Sequence, residues 1–135
     1  MKIFIDTSAI IAYYNADDKY HEQASKTMKA IQDGSIPLTR FYTSDYVFDE
    51  SMTFIKCVLH KQEMAETIGE ALRESPFTSI LRVDETVFDK AWQRFKKDSG
   101  SSFTDCTSYI LMDMHGINTC FTYDAHFKSA GYQTL

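Results

Sequence analysis

Apolar and polar positions along the chain switch repeatedly between a strand-like run and a helical period. Lys2–Ile5 is a short apolar run that predicts a buried strand, ended by Asp6-Thr7-Ser8. Those three polar residues are suited to capping a helix over Ala9–Asn15. A second helix is predicted over Tyr20–Gln32, closed by Asp33-Gly34 and followed by Pro37. Leu38–Thr43 is strand-like, and Ser44-Asp45 then caps a long helix with Tyr46, Val47, Glu50, Phe54 and Val58 near helical spacing. Gln62–Glu74 is amphipathic and stops at Ser75-Pro76, because the residue before proline is pushed out of the helical region.

The alternation continues to the end of the chain. Thr78–Val83 is a predicted strand, and Asp84 opens a helix with Val87, Phe88, Ala91, Trp92 and Phe95 on one face. After the loop Gly100-Ser101-Ser102 comes a helix over Phe103–His115, stopped by Gly116. Asn118–Thr122 is a strand, Asp124–Ala130 a short helix and Tyr132–Leu135 a last strand. Strands that alternate with helices imply a three-layer α/β/α sandwich around a mostly parallel sheet of four to five strands. Residues 1–135 are expected to form a single domain, with no repeat or linker.

Composition narrows the class. The 135 residues are 44% hydrophobic and 24% charged, which excludes disordered and low-complexity chains. A net charge of −5 argues against a basic face that coats nucleic acid. Cys57, Cys106 and Cys120 have no C-x-x-C spacing and are expected to be small buried residues in a reducing compartment. No leading signal and no apolar run of bilayer length is apparent, so a cytoplasmic, membrane-free protein is expected.

In sheets of this kind ligands bind beyond the carboxyl ends of the strands. Four acids fall at that pole: Asp6 after the first strand, Glu50 on the helix after the second, Asp105 in the first turn after Ser101-Ser102, and Asp124 after Asn118–Thr122. Each has an ordinary explanation alone. Asp6 and Asp124 can cap helices, Ser102-x-x-Asp105 has the form of a capping box, and Glu50 belongs to an acidic stretch with Asp45 and Asp49. Together they repel one another unless a cation lies between them, and oxygen ligands suit Mg²⁺ or Mn²⁺. Ions held this way activate water and offset charge on a phosphorus transition state, which points to phosphodiester hydrolysis.

Other chemistries lack their motifs. There is no glycine-rich phosphate loop, no G-x-S-x-G elbow and no second Asp two residues after Asp6. His21, His60, His115 and His126 show no zinc-ligand spacing. His126 alone lies near a candidate site residue, beside Asp124, and a surface helix position is the simpler account of it.

Ile3-Phe4-Ile5-Asp6-Thr7-Ser8-Ala9, the helical Glu50, Ser102-Phe103-Thr104-Asp105 and Phe121-Thr122-Tyr123-Asp124-Ala125-His126-Phe127 together resemble the PIN domain family. The likeness covers essentially the whole chain, and proteins of this size and pattern are often VapC-like toxins of toxin–antitoxin pairs. The resemblance implies a Mg²⁺- or Mn²⁺-dependent endoribonuclease leaving a 3′-hydroxyl and a 5′-phosphate. By position it makes Asp6 and Asp105 the principal metal ligands, with Glu50 and Asp124 binding directly or through water. Ser8 and Thr122 match hydroxyl positions that orient a water beside the ion.

His126 stands where some relatives carry a further acid, so one tightly held ion is expected, with a second arriving with substrate. Asp49 beside Glu50 leaves open which of the two faces the site. The resemblance also implies an antitoxin partner and a homodimer, for which Ala9–Asn15 and Gln62–Glu74 are the expected apolar surfaces. The alternatives are a non-catalytic RNA- or protein-binding module of the same fold and a structure-specific DNA nuclease. The intact acids disfavour the first, and the short length disfavours the second.

RNA contacts are expected from Arg40, Arg94, Lys96 and Lys97, although bases in the last turn of a helix also complement its dipole. Tyr13, Tyr14, Phe41 and Tyr42 could stack on bases, but such spacings more often mark core. With four of the 19 acids assigned to a metal site, 15 remain against 14 basic residues. Much of the acidic balance is then the site itself.

Overall fold

A computed structural model describes all residues, 1–135. Five parallel strands form one sheet: β1 (Lys2–Ile5), β2 (Arg40–Ser44), β3 (Thr78–Leu81), β4 (Thr119–Phe121) and β5 (Gln133–Thr134). Their spatial order is β3-β2-β1-β4-β5. Seven helices connect them: α1 (Thr7–Tyr14), α2 (His21–Gln32), α3 (Asp45–Thr53), α4 (Gln62–Glu74), α5 (Glu85–Lys97), α6 (Phe103–Met114) and α7 (Ala125–Ser129). Parallel neighbours need helical crossovers, and helices on both faces bury the central strands β1 and β4, while β3 is half-buried and the edge strand β5 is exposed. Ile3, Phe4, Cys120 and Phe121 accordingly lie in the core.

The order reverses around β1, which has β2 on one side and β4 on the other. Ile3 pairs with Phe41 across one edge and with Thr119 across the other. The crevice at such a reversal opens beyond the carboxyl ends of the two diverging strands, where Asp6 and Asp124 leave β1 and β4.

Local capping sets the helix starts. Ser44 accepts a hydrogen bond from the Val47 amide at 3.0 Å, and Asp84 accepts one from the Val87 amide at 2.9 Å. Gly116, at φ +64°, takes the left-handed conformation that ends α6. Boundaries differ from the sequence expectation by a few residues, because helix and strand ends are set by caps and pairing partners.

Three differences are physical. The helix begun at Asp45 passes into a π-helical turn, Phe54–Val58. The wider turn shifts the helical phase, so Ile55 is buried with Val47 and Ser51 while Phe54 and Val58 are exposed. On α5 only Val87 and Ala91 are buried; Phe88, Trp92 and Phe95 stay in solvent. Cys57 lies on the π turn and is exposed, whereas Cys106 and Cys120 are buried as expected.

The helices expected to offer a dimer surface spend their apolar faces inside the chain. Ala9–Ala12 of α1 and Ala65, Ile68 and Leu72 of α4 all belong to the core. Tyr13, Phe41 and Tyr42 likewise belong to the core or pack on it. No helix is long and apolar enough to cross a membrane.

Candidate active site

Asp6 caps α1 by backbone position alone; its side chain makes no capping bond. The carboxylate instead accepts hydrogen bonds at Oδ2 from the hydroxyls of Ser8 and Thr122, each at 3.1 Å. Those hydroxyls lie 3.1 Å apart and are themselves fixed, Ser8 by the Tyr123 amide at 2.9 Å and Thr122 by the Asp124 amide at 3.0 Å. Ser8 and Thr122 therefore hold Asp6 and tie β1 to the turn after β4. Thr122 is buried and is not among the residues lining the cleft; its hydroxyl contacts are Asp6, Ser8 and the Asp124 amide.

Asp105 is 6% exposed and completes the capping box foreseen at Ser102. Its amide donates to Ser102 Oγ at 3.0 Å, and its Oδ2 accepts from the Ser102 amide at 3.2 Å. One carboxylate oxygen is thus committed to the helix end. Ser102→Ala should cost about 1 kcal/mol of stability by removing the cap. It should also weaken Mn²⁺ binding by loosening Asp105; thermal unfolding and manganese titration read the two effects separately.

Asp6, Glu50, Asp105 and Asp124 all line a single cleft of about 580 Å³. Helix phase separates the two neighbouring acids on α3: Glu50 faces the cleft, while Asp49 is exposed and does not line it. His126 also lines the cleft, its Nδ1 2.7 Å from Asp124 Oδ1. Ligand atoms of Asp105, Asp124 and His126 lie within 4.8 Å of one another. Asp6 and Glu50 stand outside this tight group. The His126 ring is seated against Gly100, where an added Cβ would lie 3.1 Å from Nε2.

The acids feel one another. Burial, then the charges of Asp105 and Glu50, push the Asp6 carboxyl up to about 7. Burial raises Asp105 as well, with further contributions from Asp124 and Glu50 opposing its hydrogen bonds from Ser102. Carboxylates so placed are poor neighbours in the absence of positive charge. Their oxygens, with one imidazole nitrogen at the rim, form a donor set that suits Mg²⁺ or Mn²⁺.

The expected RNA contacts fare differently. Arg40 sits opposite Lys2 at the amino end of β2, roughly 13 Å in strand length from the acidic pole, and donates to Ser79 Oγ at 3.1 Å. Parallel strand direction takes it away from the cleft. Arg94 lies over the Tyr109 ring at 4.9 Å, pairs with Asp98 at 3.9 Å and lines a different cavity, with Asp113, Tyr132 and Gln133. Lys96 and Lys97 are exposed and outside the cleft wall. The basic residue that does line it is Lys19, in the α1–α2 loop, beside Tyr20 and Tyr123. A polar loop between two helices gave no sign in the sequence of facing a strand-end crevice.

The fold and this pole of carboxylates match a known pattern. The model of the PIN domain family aligns with residues 3–131. The chain belongs to the PIN domain family. This PIN domain is similar to the 23S rRNA-specific endonuclease VapC20 of Mycobacterium tuberculosis, with 29% identity over 134 residues, covering 96% of this chain and 95% of the relative. The crystal structure of VapC20, described as a sarcin-ricin loop cleaving toxin, superposes with a TM-score of 0.83 at 26% identity, covering 96% of this chain and 95% of the other. FitAcB from Neisseria gonorrhoeae shares the fold, at a TM-score of 0.67 and 19% identity over 98% of this chain and 96% of the other.

Proposed function

We propose that this PIN domain is a divalent-metal-dependent endoribonuclease of the toxin class, acting on structured RNA in the cytoplasm. The observation that carries the reading is the single cleft at the β1/β4 reversal in which Asp6, Glu50, Asp105 and Asp124 converge. Near full-length similarity to an rRNA-specific endonuclease supports RNA as the substrate class. Asp6, Asp105 and Asp124 would hold the ion, with Glu50 facing them from α3.

When bound, Mg²⁺ or Mn²⁺ supplies a Lewis acid that lowers the pKa of water and offsets charge at phosphorus. The chain's own part is positional. Ser8 and Thr122 keep Asp6 aimed into the cleft, and Ser102 fixes Asp105. Glu50 has no ion-pair partner and faces the cleft from α3, a place from which it can take a proton from an attacking water. His126 donates from Nδ1 to Asp124 Oδ1 and thereby fixes that carboxylate's orientation.

VapC20 is described as a toxin, which supports an antitoxin partner for this chain. For the homodimer, the exposed aromatic face of α5 is better suited than α1 or α4. Phe88, Trp92 and Phe95 are 45%, 48% and 37% exposed and cluster on Phe103.

The two acids on α3 give the sharpest test of the cleft. Glu50→Gln should reduce RNA cleavage about a hundredfold or more, whereas Asp49→Asn should leave it within about twofold. Initial rates on a structured rRNA fragment, with both variants folded by circular dichroism, make the comparison. Equal losses, or none in either, would contradict the assignment.

A further inference from the structure

We propose that Lys19 is the phosphate-holding residue of the cleft, an inference that rests on the endoribonuclease reading above and adds a substrate contact to it. The cleft wall carries five carboxylates, Asp6, Asp18, Glu50, Asp105 and Asp124, but only one lysine and no arginine. An RNA backbone entering it meets repulsion everywhere except at any bound cation and at this ammonium.

Three independent features put Lys19 in that role. The first is that its loop is pinned. Asn15 Oδ1 accepts from the Asp17 amide at 3.2 Å and from Lys61 Nζ at 3.0 Å, and Lys61 also pairs with Asp17 at 3.1 Å. Asp18 Oδ1 accepts from the Tyr20 amide at 2.8 Å, and the His21 ring bonds the Ala12 carbonyl at 2.8 Å.

The second feature is that Lys19 itself makes no hydrogen bond and no salt bridge, although Asp18 is its neighbour. Asn15, Asp17, Asp18, His21 and Lys61 make the bonds that shape the loop, and none of these bonds uses the Lys19 ammonium. Lys19 is exposed at the cleft wall, so its three donors are free to reach a ligand there.

The third is the support under it. The ammonium lies 5.0 Å from the Tyr20 ring centroid, and Tyr20 stacks on Tyr123 with centroids 4.5 Å apart and planes 4° from parallel. Tyr123 immediately precedes Asp124 and its amide donates to Ser8, so the stack links Lys19 directly to the acidic pole. The rings hold the charge over an aromatic face at the cleft wall without consuming its hydrogen-bonding capacity. A non-bridging phosphate oxygen can then accept from Nζ while the neighbouring phosphodiester lies among the carboxylates. Tyr20 and Tyr123 act here as positioning residues.

The test uses the full chain and separates this inference from its parent. On an Asp6→Asn background, which keeps binding apart from cleavage, a fluorescein-labelled RNA hairpin is titrated by anisotropy at several salt concentrations. Lys19→Ala should weaken binding about fivefold at low salt and reduce the slope of log affinity against log salt by about 0.7, the share of one phosphate contact. Lys19→Arg should restore both, and Lys19→Glu should weaken binding further. In the cleaving protein the Lys19→Ala loss should fall mainly on KM. An unaltered salt slope and KM in Lys19→Ala would overturn the role of Lys19. The parent reading fails separately, if wild-type protein shows no Asp6-dependent cleavage.

Discussion

Without divalent metal, Asp6→Asn should be more stable than the wild type at pH 8, by a few kcal/mol and about 10 °C in midpoint temperature. The Asp6 carboxyl is raised from an ordinary value of 3.8 to about 7 in the folded chain. The folded state therefore binds a proton more tightly than the unfolded state does. Well below pH 3.8 both states are protonated, and the stability tied to the neutral carboxyl is fully present. As pH rises from 4 to 7 the unfolded carboxyl ionises first, and stability falls by up to about 4 kcal/mol, staying lost at higher pH.

Asparagine keeps a carbonyl oxygen for the Ser8 and Thr122 hydroxyls and never ionises, so its stability should fall less over that window, leaving the smaller contribution of Asp105. Thermal unfolding of both proteins in chelator from pH 4 to 8 makes the measurement. A wild type at least as stable as Asp6→Asn at pH 8 would contradict the electrostatic picture of the cleft. Sites that must gather like charges often carry such a cost in the free protein, and it is recovered when a cation arrives.

The second large effect is the recovery itself. Manganese should raise the wild-type midpoint strongly at pH 8 and little at pH 5.5, because Asp6 must lose its proton to take the ion. At a hundredfold excess over the dissociation constant the gain is about 2.7 kcal/mol. Asp105, raised in the same direction by burial, sharpens the dependence. Asp6→Asn should respond weakly at either pH. Equal manganese shifts at pH 5.5 and 8, or a full shift in Asp6→Asn, would remove Asp6 from the ligand set.

How much of this was legible before the structure depends on the kind of signal. The parallel sandwich and the acids after strand ends follow from local rules: apolar runs mark strands, and polar residues at their carboxyl ends face the crevice. Asp6, Asp105 and Asp124 obey those rules, and all three line the cleft. Glu50 could not be told from Asp49, because one residue of helix rotation decides between them and the apolar neighbours fit either phase. The π turn at Phe54–Val58 misled the periodicity further along the same helix.

Contacts that depend on three-dimensional placement were the hardest to read. Arg40 is adjacent to the right strand but at its wrong end, since parallel pairing with Lys2 fixes it far from the acids. His126 looked like a surface residue on a short helix, and the approach of Gly100 and Asp124 is what turns its ring into the cleft. Lys19 belongs to no strand end and no motif. Its position comes from the Asn15, Asp17 and Lys61 bonds that fold the α1–α2 loop back to the crevice. Similarly, Phe88, Trp92 and Phe95 have the spacing of a core stripe, yet the buried line on α5 runs through Val87 and Ala91.

The central claim is that these carboxylates hold a divalent ion with which the chain cuts RNA. The most direct measurement is cleavage of a purified rRNA fragment by metal-stripped protein, before and after adding Mn²⁺, with Asp6→Asn in parallel. The account predicts no cleavage in chelator, restored cleavage with Mn²⁺ and a loss of about a thousandfold in Asp6→Asn. Equal cleavage by the two proteins, or undiminished cleavage in chelator, would contradict it.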